Sequence, residues 1–229
     1  MTREVGLATL LPDSVEFVDA SSDIADGVLF PEEDAAIAGA VPRRRAEFTT
    51  VRHCARQALR RLGHPPAPIL PGRASEPIWP NGVIGSLTHC EGYRAAAVAP
   101  ASYIVSLGID AETHAPLPDG VAGLVTVGEE PRMLTALAAA YPDIAWDRVL
   151  FSAKESIYKT WYPLARRWLD FTECELDVDP DTAVFTGRLL VPGPTINDRE
   201  ITQFTGRWTI HGQHIFTATW EPADQAGHV

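Results

Sequence analysis

Apolar residues recur at intervals of three and four in two long stretches of the chain. Between Pro42 and Leu62 the residues Phe48, Val51, Ala55, Ala58 and Leu62 fall on one helical face. Pro42 suits a first helical position there, and Gly63 suits a stop. Between Trp146 and Leu164 the positions Trp146, Leu150, Ala153, Ile157, Trp161 and Leu164 keep the same period, with Pro163 at the fraying end. A shorter helix is predicted to start at Pro31, with Glu32, Glu33 and Asp34 in its first turn. Residues 117–142 read as a loop followed by a helix with Met133, Leu134, Leu137 and Tyr141 on one side. Strands are predicted at Val83–Ile84, at Arg94–Ala99 and at Tyr103–Ile109, the last two joined as a hairpin through Pro100-Ala101-Ser102. Three more are predicted at Ala183–Val191, Gln203–Ile210 and Gln213–Trp220, with His211-Gly212 as a two-residue turn. Six prolines between His64 and Gly82 exclude a helix or a central strand and predict an extended, ordered segment lying over the first half. The fold class these elements predict is α+β. It has two pseudo-symmetric halves, each a long helix packed on a small, mostly antiparallel sheet.

The chain has 229 residues, 45% apolar and 21% charged, which excludes a mostly disordered, collagenous or disulfide-framed protein. A formal charge of −11 disfavours a nucleic-acid partner, because phosphates are neutralised by cations. No run reaches the roughly 18 apolar residues of a membrane span. Met1 to Leu11 holds Arg3 as its one cation and no apolar core of signal-peptide length, so the expectation is a cytoplasmic protein away from membranes. Cys54, Cys90 and Cys174 are widely spaced, which fits buried thiols in a reducing compartment.

The charges are segregated. Residues 1–40 carry nine acids and one arginine, whereas residues 43–61 carry seven arginines and one acid, Glu47. Arg45, Arg52 and Arg56 fall on one stripe of the predicted helix, with Arg44 at its edge. The stripe reads either as a solvated face or as an anion site with almost no compensating carboxylates. Of 19 cations 17 are arginine; the two lysines, Lys154 and Lys159, lie five residues apart. They read either as a helix-surface pair or as ammonium groups kept for chemistry.

Three segments could carry chemistry. In Gly108-Ile109-Asp110-Ala111-Glu112, at the end of an apolar strand, Asp110 and Glu112 project from one face. Carboxylates this close raise each other's pKa unless a cation intervenes, and a hard divalent ion is one solution; a solvated strand exit is the plain alternative. In Ser152-Ala153-Lys154-Glu155-Ser156-Ile157-Tyr158-Lys159, Glu155 and Lys159 stack one turn apart. They form either a surface salt bridge or a third acid beside a phosphate-binding ammonium. Gly85-Ser86-Leu87-Thr88-His89-Cys90 offers hydroxyl, backbone and imidazole donors to an anion, while His211 and His214 read as surface residues. GxSxG, Walker, GxGxxG and HExxH motifs are absent from the sequence, which disfavours common hydrolases, NTPases and dehydrogenases.

The ordered set GSLTH, GIDAE and SAKESIYK, preceded by RRRAEFTTVRHCAR and GRASEPIWPNG, resembles the 4′-phosphopantetheinyl transferases. The likeness is to the larger, pseudo-dimeric group serving siderophore, polyketide and non-ribosomal peptide carrier proteins. It implies transfer of 4′-phosphopantetheine from coenzyme A to a serine of an apo acyl or peptidyl carrier protein, with release of adenosine 3′,5′-bisphosphate. It also implies that Asp110, Glu112 and Glu155 hold Mg²⁺, with Mn²⁺ as an alternative ion, and that Glu155 acts as base or ligand or both. Lys159 and Lys154 would then neutralise phosphate charge, and Arg44, Arg52, Arg73, Thr88 and His89 would bind the nucleotide and its 3′-phosphate. Arg73 stands where the family usually has lysine, and Ala111 leaves a place for water. The organisation implied is a monomer with a nucleotide-binding half at 1–107, a metal and catalytic half at 108–229, and coenzyme A in the cleft between them. Arg166-Arg167 and the arginine helix would offer an acidic carrier a local positive face. Rival readings are a metal-dependent phosphohydrolase acting on a coenzyme A-like diphosphate and a non-catalytic coenzyme A-binding module.

Overall fold

A computed structural model describes residues 6–223; Arg3, on which the reading of the N-terminal segment drew, lies outside them. The chain parts into two compact units. One is Pro12–Leu107 with Pro222 and Ala223, and the other joins the N-terminal turn at Gly6–Leu10 to Gly108–Glu221. No helix among the described residues is long and apolar enough to cross a membrane.

In the unit built on Pro12–Leu107, β1 (Glu16–Ala20), β3 (Tyr93–Pro100) and β2 (Val83–Cys90) form a sheet in that order. The short α1 (Pro31–Ala36) precedes the 20-residue α2 (Pro42–Arg61), which packs on the sheet. Ala95 to Ala99 of β3 are fully buried, and Cys54, Ala55, Ala58 and Leu59 of α2 meet Val83, Ala96 and Val98. The expected hairpin between the third and fourth strands does not form. Both edges of β3 are taken, by β1 (Phe17 opposite Ala97) and by β2 (Cys90 opposite Tyr93). The turn in the β2–β3 hairpin is Glu91-Gly92, where Gly92 adopts φ 72°. The proline-rich segment is extended, as predicted, with one bridge between Pro71 and Pro77 and with Ile69 fully buried.

The arginine stripe is compensated, contrary to expectation. Arg45 pairs with Asp34, Arg43 with Glu47 at 3.1 Å, and Arg61 approaches Glu16 at 3.9 Å. Arg56 donates to both oxygens of the fully buried Glu33 at 2.9 Å, and Glu33 also accepts the backbone N–H groups of Phe30 and Ile69. Acids and arginines segregated along the sequence thus meet in space, and one buried carboxylate ties α1, α2 and the proline-rich segment together.

In the other unit, β4 (Ile104–Thr113) belongs to a five-stranded sheet with β5 (Cys174–Asp179), β6 (Val184–Leu189), β9 (Gln203–His211) and β10 (His214–Pro222), in the order β4-β10-β9-β6-β5. The short β7 (Thr195–Ile196) and β8 (Arg199–Glu200) pair separately. Helices α3 (Ala122–Val125), α4 (Glu130–Ala140) and the 20-residue α5 (Trp146–Ala165) complete the unit. The core gathers Trp146, Val149, Ala153, Ile157 and Trp161 of α5 against Phe185, Phe204, Trp208 and Ile215 of the sheet. β5 escapes the sequence reading, although Cys174, Leu176 and Val178 alternate with acids as a strand should. His211 pairs with His214, so the tight turn is Gly212-Gln213, one residue later than predicted, with Gly212 at φ 60°. Cys54 and Cys174 are buried, which raises their thiols to about 11 and about 12, and Cys90 is half-buried.

Removing Glu33 would strand Arg56 and two backbone donors inside the first unit. Glu33→Ala is expected to cost about 3–5 kcal/mol in denaturant unfolding, and Glu33→Gln, which still accepts hydrogen bonds, less.

Candidate active site

A strand advances about 3.3 Å per residue and a helix about 1.5 Å, so two residues of strand span as much as four of an adjacent helix. β4 and α5 use this match while running in opposite directions. Gly108 lies against Ser156 and Thr160, Asp110 against Ser152, and Glu112 against Arg148. Gly108 permits the approach: a Cβ there would overlap the Ser156 carbonyl oxygen and crowd Thr160. The Ser152 hydroxyl donates to Asp110 Oδ2 at 2.8 Å, and Arg148 Nη1 donates to Glu112 Oε2 at 2.9 Å. From the same face of α5, Lys159 Nζ donates to Asp110 Oδ1 at 2.7 Å and to the Ile109 carbonyl at 3.0 Å.

Glu155 stands on this stripe between Ser152 and Lys159. Of the two readings of Glu155 and Lys159, the salt bridge one turn apart does not form, because the ammonium reaches Asp110 instead. Half-buried, the Glu155 carboxylate accepts no hydrogen bond from the described residues. Burial pushes its pKa up, Asp110 adds to the effect, and Lys159 opposes it. Glu155 lines a small recess, about 20 Å³, together with Lys154, Tyr158, Trp168, Leu169, Asp170, Phe171 and Cys174. Burial, followed by the charge of Asp110, raises Glu112 to about 7 in spite of Arg148.

Among the described residues no three acid, histidine or cysteine side chains are gathered closely enough to enclose a metal ion. Asp110 and Glu112 are held by an ammonium and a guanidinium rather than by a shared ion. The donor set nonetheless fits a hard cation. It is all oxygen, its three carboxylates face only two contacting cations, and two of the three are pushed toward protonation where they stand.

Lys154 is turned into the interior. Its three ammonium protons go to Glu130 Oε2 at 2.8 Å, to the Val125 carbonyl at 2.8 Å and to the Phe171 carbonyl at 2.7 Å, deep inside the unit. Glu130 in turn accepts the N–H groups of Val127 and Leu176. A compact ammonium matches three converging acceptors, a structural reason for lysine in an arginine-rich chain.

In the other unit, Arg44 Nη1 lies 2.6 Å from His89 Nε2. A guanidinium only donates, so Nε2 accepts, and the ring proton sits on Nδ1, 3.7 Å from Glu47. Arg52 turns inward, which removes it from a solvated face. It is 6% exposed, stacks 3.5 Å over the Phe48 ring and donates to the Ile69 carbonyl, and burial lowers its pKa to about 10. Thr88 is buried beside His89 in β2, and Arg73 is exposed in the turn before Ser75.

Arg148, Ser152 and Gly108 are the residues that sequence reasoning passed over. Their signal is the four-residue stripe Arg148, Ser152, Ser156, Thr160, facing the two-residue stripe Gly108, Asp110, Glu112.

Comparison with known proteins settles the family. Residues 32–99 match the 4′-phosphopantetheinyl transferase N-terminal domain, and residues 106–203 match the 4′-phosphopantetheinyl transferase superfamily. The chain is 54% identical over 215 residues to 4′-phosphopantetheinyl transferase Svp of Streptomyces mobaraensis, covering 93% of this chain and 87% of that protein. It is 43% identical to PptT of Mycobacterium tuberculosis over 227 residues (95% and 99%), and 44% identical to Npt of Nocardia iowensis over 221 residues (93% and 98%). The chain belongs to the 4′-phosphopantetheinyl transferase superfamily. As a 4′-phosphopantetheinyl transferase it has the α+β fold that the sequence predicts, and the β4–α5 match lies within the second of the two matched regions.

Two outcomes follow for this transferase. Gly108→Ala is expected to lower stability by about 2–3 kcal/mol in urea unfolding, because a backbone carbonyl must move. Glu112 binds its proton more tightly folded than unfolded, so folding stability falls as pH rises from about 4.5 to about 7. Comparing metal-free protein at pH 5 and pH 8, Glu112→Gln should remove at most about 3 kcal/mol of that loss.

Proposed function

We propose that this transferase moves the 4′-phosphopantetheine arm of coenzyme A to a serine of an apo acyl or peptidyl carrier protein, releasing adenosine 3′,5′-bisphosphate. The observation that carries the reading is the β4–α5 face. There a half-buried Glu155, which accepts no hydrogen bond from the described residues, adjoins an Asp110–Lys159 pair and an Arg148–Glu112 pair.

Asp110, Glu112 and Glu155 would hold Mg²⁺, or Mn²⁺ in its place. When bound, the ion supplies Lewis-acid neutralisation of the pyrophosphate oxygens. Glu155 takes the proton of the carrier serine as its oxygen attacks the phosphorus that bears the pantetheine arm. The new serine O–P bond forms as the bridging P–O bond breaks, and the leaving bisphosphate departs with that electron pair. A carboxylate whose pKa burial has raised is a stronger base for this task than an exposed one. Lys159, already turned toward β4, places its ammonium against the phosphate charge. Arg44, Arg52, Arg73, Thr88 and His89 are assigned to the nucleotide and its 3′-phosphate. A net charge of −11 supports a site of action away from nucleic acid and anionic membranes, and we assign the enzyme to the cytoplasm as a monomer.

Intact-mass spectrometry of an apo carrier incubated with coenzyme A should show a gain of about 340 Da, the mass of the transferred phosphoryl-bearing arm. A chelator should abolish the gain. Hydrolysis of coenzyme A without a carrier adduct would refute the reading. Glu155→Gln should lower turnover by about 10²–10⁴-fold with melting temperature unchanged or raised.

A further inference from the structure

Arg148 contacts more than the carboxylate it neutralises. Nη1 donates to Glu112 Oε2 at 2.9 Å, Nε to the Ala115 carbonyl at 3.0 Å, and Nη2 to the Pro116 carbonyl at 3.0 Å. Around it the start of α5 is fastened to the same segment. Asp147 accepts the N–H of Leu117 at 2.8 Å through one oxygen and that of Arg148 through the other, and His114 Nε2 accepts the N–H of Ala145. The guanidinium plane is therefore fixed by three acceptors that diverge from one another, and its side chain is 15% exposed. A charge partner alone would not need this. A lysine would neutralise Glu112 with one mobile point charge, as Lys159 does for Asp110, whereas a fork bonded to two backbone carbonyls cannot follow a carboxylate that swings.

The consequence lies in the other carboxylate oxygen. With Oε2 locked, Glu112 Oε1 accepts no hydrogen bond from the described residues, while Asp110 on the same strand face carries its own pair of partners from α5. We infer that Arg148 is a positioning residue for the divalent ion: it fixes Glu112 by one oxygen so that the other is aimed as a ligand. This rests on the proposed metal reading and goes beyond it by assigning the residue that orients one of the three acids. Groups that hold metal ligands from behind are worth about 10–100-fold in metal affinity.

The test uses the full chain, metal-free, titrated with Mn²⁺ and followed by electron paramagnetic resonance of the free ion. No carrier or coenzyme A is needed. Arg148→Lys keeps the charge and loses the fork, and is expected to weaken Mn²⁺ binding about tenfold or more. Arg148→Met should weaken it as well. Arg148→Lys that lowers the melting temperature but binds Mn²⁺ as the wild type does would reduce Arg148 to a structural staple and overturn the inference. Tighter binding by Arg148→Met would also overturn it, by showing that the guanidinium competes with the ion. Wild-type protein that binds no Mn²⁺ would sink the metal reading itself, a pattern distinct from either. One measurement needs no variant. The Arg148 Nε–H resonance of the wild-type chain should stay protected from solvent exchange when Mg²⁺ is added, and exposure of that proton would mean the ion displaces Arg148.

Discussion

The closeness of β4 to α5 is the constraint on which the site depends. It is set by one residue without a side chain: only at Gly108 can the strand come against the Ser156 carbonyl. Once that contact is made, the two-to-four match of strand and helix rise dictates the rest. Asp110 is delivered to Ser152 and Glu112 to Arg148, while Glu155 and Lys159 are carried on the same helical stripe. Thr217 of β10 joins from the adjacent strand, donating to the Ser152 carbonyl at 2.9 Å, so the helix is held to two strands at the level of the acids. The electrostatics follow from the geometry. Asp110 is buried and Glu112 and Glu155 are half-buried, and they are incompletely neutralised by the cations the helix brings.

Both units secure their long helix with a buried acid near the start of a short one. In the first, Glu33 of α1 binds Arg56 of α2 and the N–H of Ile69; in the second, Glu130 of α4 binds Lys154 of α5 and the N–H of Leu176. A buried ion pair is tolerated when its remaining hydrogen-bonding capacity is filled, and here backbone groups from a third segment fill it. The segregation of acids and arginines along the first sixty residues is the linear trace of this arrangement.

The two long helices are legible in the sequence because a core face needs the 3.6 period and their ends carry proline and glycine. The strands are less so. Arg94–Ala99 and Tyr103–Ile109 look like hairpin partners by proximity, yet β3 already has a neighbour on each edge, which no local pattern reveals. Asp110 and Glu112 can be placed on one face from spacing alone. What spacing cannot show is where a long side chain ends. Lys154 and Lys159 are alike in sequence, but one ammonium closes an interior hub and the other meets Asp110; the stripe reading of Arg52 does not show that its guanidinium stacks over the Phe48 ring. Arg148 draws no notice in the sequence because its acceptors, two of them carbonyls, are invisible there.

The two-to-four match also limits how this segment can change over generations. Adding or deleting one residue between Arg148 and Lys159 would rotate everything beyond it by about 100°, and a slip of one in the strand would turn the acids to the opposite side. Lineages can therefore vary the chemistry along these eleven helical steps by substitution alone, while the gain and loss of residues is left to stretches such as the hairpin at Thr195–Glu200.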